Sequence, residues 1–161
     1  MAKQKEIKTN AMRILDRMKI PYTFQTYECD EFIDGQHAAD LLGLPHEIVF
    51  KTLVTESPEH ACYVFAIPID AELDLKKAAK AASCKSLSML HVKDIQSVTG
   101  YIRGGCTAIG MKKNYPVFMD ASALHYEKIA VSGGKIGLQL ELTPQDYEKA
   151  CRAVFCDVTR E

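Results

Sequence analysis

Residues 49–68 read VFKTLVTESPEHACYVFAIP, and this stretch decides which kind of sheet the chain builds. Val49 to Thr55 and Ala61 to Pro68 are rich in β-branched and aromatic residues, which suit a pleated, half-buried surface. The polar Ser57-Pro58-Glu59-His60 between them is a turn, too short to hold a crossover helix. Neighbouring strands joined by tight turns argue against a doubly wound parallel sheet. Working outward, Ile7, Ala11, Ile14, Leu15 and Met18 give helical spacing over residues 4–18, stopped at Ile20-Pro21. Tyr22 to Glu28 favours strand, Asp30 to Gly35 loop, and Gln36 to Leu42 a short helix closed by Gly43. Pro45 to Ile48 reads as a helical turn.

Downstream, Asp74 is placed to cap a helix over Leu75–Ala82, and His91–Val98 forms a second short helix. Pro116–Met119, Lys128–Val131, Ile136–Leu142 and Ala153–Val158 read as strands, with one helical turn at Ser122–Tyr126. Thr143-Pro144 supplies a cap and a first-turn proline for a last helix, Gln145–Arg152. Strands and short helices thus alternate irregularly. The expected fold is α/β of the α+β kind, with a mixed, strongly curved or barrel-like sheet and short helices outside it. The 161 residues, 47% of them hydrophobic, suffice for a single domain over 1–161.

Twenty basic side chains stand against 21 acidic ones, a net charge of −1. A protein that coats nucleic acid without preference is strongly basic, so an RNA partner must meet a local patch. No apolar run reaches the length of a membrane span, and the polar start MAKQKEIKTN is no secretory signal; the expected location is the cytoplasm. The six cysteines form no C-x-x-C pair, and neither they nor the histidines have metal-ligand spacing. Most lie in apolar runs, where a reduced cysteine behaves as a small hydrophobe. Cys106 differs, because it stands in a glycine-rich loop.

That loop, Thr99–Lys113 (TGYIRGGCTAIGMKK), holds Gly100, Gly104, Gly105 and Gly110, and Ser132-Gly133-Gly134 forms a second cluster. Such clusters make tight turns or present main-chain N–H groups to an anion, and the residues alone leave both open. Neither matches a nucleotide-binding fingerprint. Lys51 is a cation in an apolar strand, costly there unless its ammonium meets acceptors, an anion or water. It is either an outward-facing residue or the cation of a pocket. Thr52 points to the opposite face of a regular strand, which leaves it the main chain or a bulge as its route to the same site. No histidine stands in a recognisable nucleophile motif.

Phe50-Lys51-Thr52-Leu53, Leu73-Asp74-Leu75-Lys76-Lys77-Ala78-Ala79-Lys80, Thr99 to Gly105 and Val131-Ser132-Gly133-Gly134-Lys135 follow in order from near Tyr22 to Val158. In this order and spacing they resemble the YbaK family of aminoacyl-tRNA deacylases, in its Cys-tRNA(Pro) deacylase branch. The resemblance implies a free-standing editing domain, related to the insertion domain of bacterial prolyl-tRNA synthetases. Such a domain hydrolyses the ester of mischarged Cys-tRNA(Pro), and of Cys-tRNA(Cys), with the substrate thiol as nucleophile and with no metal or cofactor. It implies Lys51 as the essential lysine and Tyr27, Phe32, Thr52, Gly104, Gly105, Ser132, Gly133, Gly134 and Gln139 as substrate-binding positions. Two departures touch specificity: Ala108 replaces a loop proline, and Gln139 an aspartate. Editing of another tRNA, such as Ala-tRNA(Pro), is the rival enzyme reading. The other alternative is an inactive tRNA- or synthetase-associated module. The acceptor end of the tRNA would meet a patch drawn from Lys76, Lys77, Lys80, Arg103, Lys112, Lys113 and Lys135. Choice of tRNA would then fall to a transient complex with prolyl-tRNA synthetase.

Overall fold

A computed structural model describes residues 8–28 and 35–160. The chain begins with α1 (Asn10–Arg17) and β1 (Thr23–Thr26), then α2 (Gly35–Leu42), β2 (Phe50–Glu56) and β3 (Cys62–Pro68). It continues through α3 (Leu75–Ala81), the two-residue β4 (Ser88–Met89), α4 (Ile95–Thr99) and β5 (Val117–Asp120). The hairpin of β6 (Ile129–Ser132) and β7 (Leu138–Leu142), then α5 (Pro144–Cys151) and β8 (Val154–Cys156), complete it. Single 3-10 turns fill His46–Ile48, Val92–Asp94 and Ala121–His125.

The strands form two sheets, not a closed barrel. One is antiparallel in the order β1-β7-β6, and the other is mixed in the order β4-β2-β3-β5-β8. The β2–β3 hairpin is antiparallel from Phe50↔Pro68 to Glu56↔Cys62, whereas β3–β5 and β5–β8 are parallel. A parallel bridge between Val49 and Ala130 ties the start of β2 to β6. Past that bridge no strand among the described residues pairs with this edge of β2 until β4 does so at Thr55.

Most buried apolar side chains, including Leu15, Val64, Met119, Val131, Leu140 and Tyr147, fill one core that takes in both sheets and α1. A smaller layer of Phe65, Ile67, Phe118 and Val158 lies against Ala78 and Ala79 of α3. Phe65 and Phe118 stack in it with centroids 5.1 Å apart.

Three expectations change. Residues 4–7 of the expected first helix lie outside the described residues, and α1 begins at Asn10, where Thr9 turns extended and its hydroxyl caps the Met12 N–H at 3.2 Å. Strand β4 was not expected, since two exposed residues carry no alternation to read. The β6–β7 connection is longer than a tight turn at Gly133-Gly134, since Ser132 pairs with Gln139 and the residues between form the loop. The helix caps at Asp74 and Thr143 stand where they were expected.

Candidate active site

The open edge of β2 is one wall of a cavity of about 410 Å³. Val49 gives its carbonyl to Ile69 on the β3 side, and Val54 gives its carbonyl to Leu90 on the other. Backbone groups alternate along a strand, so the N–H and C=O of Thr52 point to the open edge. The cavity wraps that edge and is therefore lined by consecutive residues, Phe50 to Val54, from both faces of the strand. This resolves the alternation that set Lys51 and Thr52 apart.

Lys51 is partly buried, and its Nζ donates to the Ile69 carbonyl at 3.3 Å. The same carbonyl accepts Gln36 Nε2 at 2.9 Å. Gly35 lets α2 approach here: a Cβ on it would stand 2.8 Å from Ile69 Cγ2. Gly35 and Gln36, the first residues of α2, thereby join the lining, on the end of a helix that carries partial positive charge. Arg103 is a second cation of the lining. No Asp, Glu or His lines the cavity among the described residues.

Three polar atoms at this site, Thr52 Oγ1, Ser132 Oγ and Gln139 Oε1, are buried without a hydrogen-bond partner among the described residues. Gln139 is only 9% exposed. A buried polar atom left unpaired costs free energy, and a ligand that pairs it recovers that cost. Cys106 also lines the cavity. Burial pushes its thiol up to about 11, and its sulfur lies 3.8 Å from Thr99 Oγ1. At neutral pH it is a thiol, not the thiolate a nucleophile requires.

The two glycine loops meet each other. A Cβ on Gly105 would stand 2.7 Å from Lys135 Cα, so only glycine lets these main chains touch. The cap and the first residue of α1 tie both loops down: Thr9 Oγ1 donates to the Gly133 carbonyl at 2.6 Å, and Asn10 Nδ2 to the Gly110 carbonyl at 2.8 Å. Buried Tyr101 adds a hydroxyl bond of 2.7 Å to the Ile109 carbonyl.

Of the expected positions, Tyr27, Lys51, Thr52, Gly104, Ser132 and Gln139 converge on the cavity. Gly105, Gly133 and Gly134 are not in its lining. Gly105 N–H is taken by the Ile102 carbonyl and Gly133 N–H by the Leu138 carbonyl, each at 3.0 Å, so neither is held out for an anion. Phe32 and Cys29 lie outside the described residues. Of the seven cations expected to meet the acceptor end, Arg103 lines this cavity and Lys113 lines the one beside α1 and α5 described below. Lys77 is held by Asp157 and the Thr159 carbonyl, and Lys112 by the Ser97 carbonyl. Lys76, Lys77 and Lys80 line neither cavity. Gln36 was missed, because nothing marks it within an ordinary helix start.

The model of a protein family described as the aminoacyl-tRNA editing domain matches residues 34–150, which include every lining residue except Tyr27. The chain belongs to the aminoacyl-tRNA editing domain family. This editing domain is 43% identical, over 99% of its length and 98% of the relative's, to an Enterococcus faecalis protein named for Cys-tRNA(Pro)/Cys-tRNA(Cys) deacylation, EbsC. Two solved structures share the fold. One, titled as protein APE2540, superposes with a TM-score of 0.84 at 22% identity, covering 94% of this chain and 99% of that one. The other, described as a trans-editing enzyme for prolyl-tRNA synthetase, gives 0.80 at 19% identity over 97% and 100%.

Proposed function

We propose that this editing domain hydrolyses the ester that joins cysteine to the 3′ end of tRNA, on Cys-tRNA(Pro) and Cys-tRNA(Cys). The observation that carries the reading is a cavity holding Lys51 and three unpaired buried polar atoms, with no acid or histidine in its lining among the described residues. Such a site can orient a substrate and stabilise charge, and it leaves the nucleophile to the substrate. The cysteinyl thiol attacks its own carbonyl carbon, a C–S bond forms and the ester C–O bond breaks. The thiol proton passes to the departing ribose oxygen. Water then opens the thiolactone to free cysteine.

In this scheme Lys51 lies against the developing oxyanion, and the Gly104 main chain borders the same space. Gln139 Oε1 accepts a hydrogen bond from the substrate's ammonium group, with the neutral dipole of an amide rather than a carboxylate charge. Cysteine and proline are similar in volume, so a synthetase's small apolar pocket separates them poorly, which is the need such a domain meets. Selection of the tRNA body falls to a transient complex with prolyl-tRNA synthetase in the cytoplasm.

Lys51→Ala is expected to lower kcat on Cys-tRNA(Pro) by about 100-fold, the scale for loss of one group that stabilises an oxyanion. Its melting temperature is expected to stay within a few degrees of wild type. Near-normal turnover by the folded variant sinks the role of Lys51. A wild-type protein that spares Cys-tRNA but hydrolyses Ala-tRNA(Pro) sinks the substrate. Adding the synthetase to the same assay reports whether a partner sharpens the choice between the two cysteinyl-tRNAs.

A further inference from the structure

A second cavity, of about 480 Å³, lies on the other side of the first glycine loop, between α1 and α5. Its polar lining includes Arg17 from the last turn of α1, Lys113 from the end of the loop and Arg152 from the C-terminal cap of α5. No acidic side chain lines it among the described residues, in a chain whose bases and acids nearly balance at 20 against 21. None of the three cations forms an ion pair or a side-chain hydrogen bond among the described residues. Arg152 is held at φ 59°, ψ 40°, a left-handed cap that glycine adopts without steric cost. Each arginine also meets the negative end of its own helix. That does not account for Lys113, which stands on a loop from a third part of the chain.

The lining also holds apolar side chains, Ile14, Met111 and the ring of Tyr115, together with the amides of Asn10 and Asn114. Tyr115 is anchored by a hydroxyl bond of 2.8 Å to the Val98 carbonyl, so its ring is fixed in place. Cations beside a fixed aromatic ring suit single-stranded nucleic acid, with phosphates on the cations and a base on the ring. The loop supplies the register: Gly104 and Cys106 line the first cavity, while Ala108 and Gly110 line the second. Cys106 and Ala108 are two residues apart, at most about 7 Å of chain.

We infer that the second cavity binds the unpaired nucleotides just upstream of the esterified 3′ end of an RNA, holding their phosphodiesters with Arg17, Lys113 and Arg152. This rests on the reading of the first cavity as an aminoacyl-ester site. The test measures binding of a labelled single-stranded RNA ending in CCA across a salt series, with inorganic phosphate as competitor. It also measures hydrolysis of Cys-tRNA and of cysteinyl-adenosine, an ester without phosphate. The double variant Arg17→Glu/Arg152→Glu is expected to bind the RNA about tenfold more weakly, and its log–log salt slope to flatten by about 0.7 per lost phosphate contact. Its KM on Cys-tRNA should rise while cysteinyl-adenosine is hydrolysed as before.

Unchanged RNA affinity and salt slope in the folded variant overturn the inference, as does wild-type binding of inorganic phosphate without binding of the RNA. Should the double variant not fold, Lys113→Glu, exposed on its loop, carries the same test. A wild-type protein that binds the RNA through these residues yet hydrolyses neither ester sinks the proposed reaction and leaves this site standing.

Discussion

A thiol held up at about 11 is deprotonated in only about one molecule in ten thousand at neutral pH, too few to serve as a working nucleophile. Cys106→Ser is therefore expected to keep most deacylase activity, and iodoacetamide at pH 7.5 to leave the enzyme active. Loss of activity in a folded Cys106→Ser protein would return the nucleophile to the protein. Lys51 was legible in the sequence, because an ammonium inside an apolar strand asks for a reason. Thr52 was not, since strand alternation turns it away from Lys51. What reconciles them is an unpaired strand edge, a property of how β2 separates from β6 that no residue in β2 announces.

Contact between the glycine loops belongs to the scale of elements. Gly105→Ala would drive a Cβ to 2.7 Å from Lys135 Cα and 2.8 Å from its carbonyl carbon, main-chain atoms that cannot swing aside. A cost of about 1 to 3 kcal/mol, typical of overpacking, is expected in urea denaturation, with kcat falling as Gly104 shifts. Wild-type stability together with wild-type activity would show that the loops do not depend on this contact. The sequence marked both loops as places where glycine is needed, but as anion cradles or turns rather than as partners. The β2–β3 hairpin and the caps at Asp74 and Thr143 were legible because each rests on a local rule: a turn, a hydroxyl, a carboxylate. The start of α1 at Asn10 was not legible because the periodicity of Ala11, Ile14, Leu15 and Met18 gives no sign that Thr9 turns extended and caps the helix.

At the scale of the whole molecule, the match to the family model stops short of what holds the site together. Residues 34–150 leave out α1, which contributes Ala11, Met12 and Leu15 to the main core, and β1, an edge of the three-stranded sheet. They also leave out β8, which pairs with β5. A fragment trimmed to 34–150 is expected to show no cooperative thermal transition and no deacylase activity. A sharp melt and full turnover from that fragment would show α1 to be dispensable. The packing of α1 was predictable from its apolar stripe, but its hold on Gly133 and Gly110 was not, because those contacts join residues more than 90 positions apart. The segment from Arg103 to Lys113 has a wall in each cavity. Whatever factor an occupant of one side lends to binding on the other must be returned in equal measure, since coupling between two equilibria is reciprocal. Correct and incorrect amino acids would then differ not only in how fast they are cleaved but in how long the nucleic acid stays.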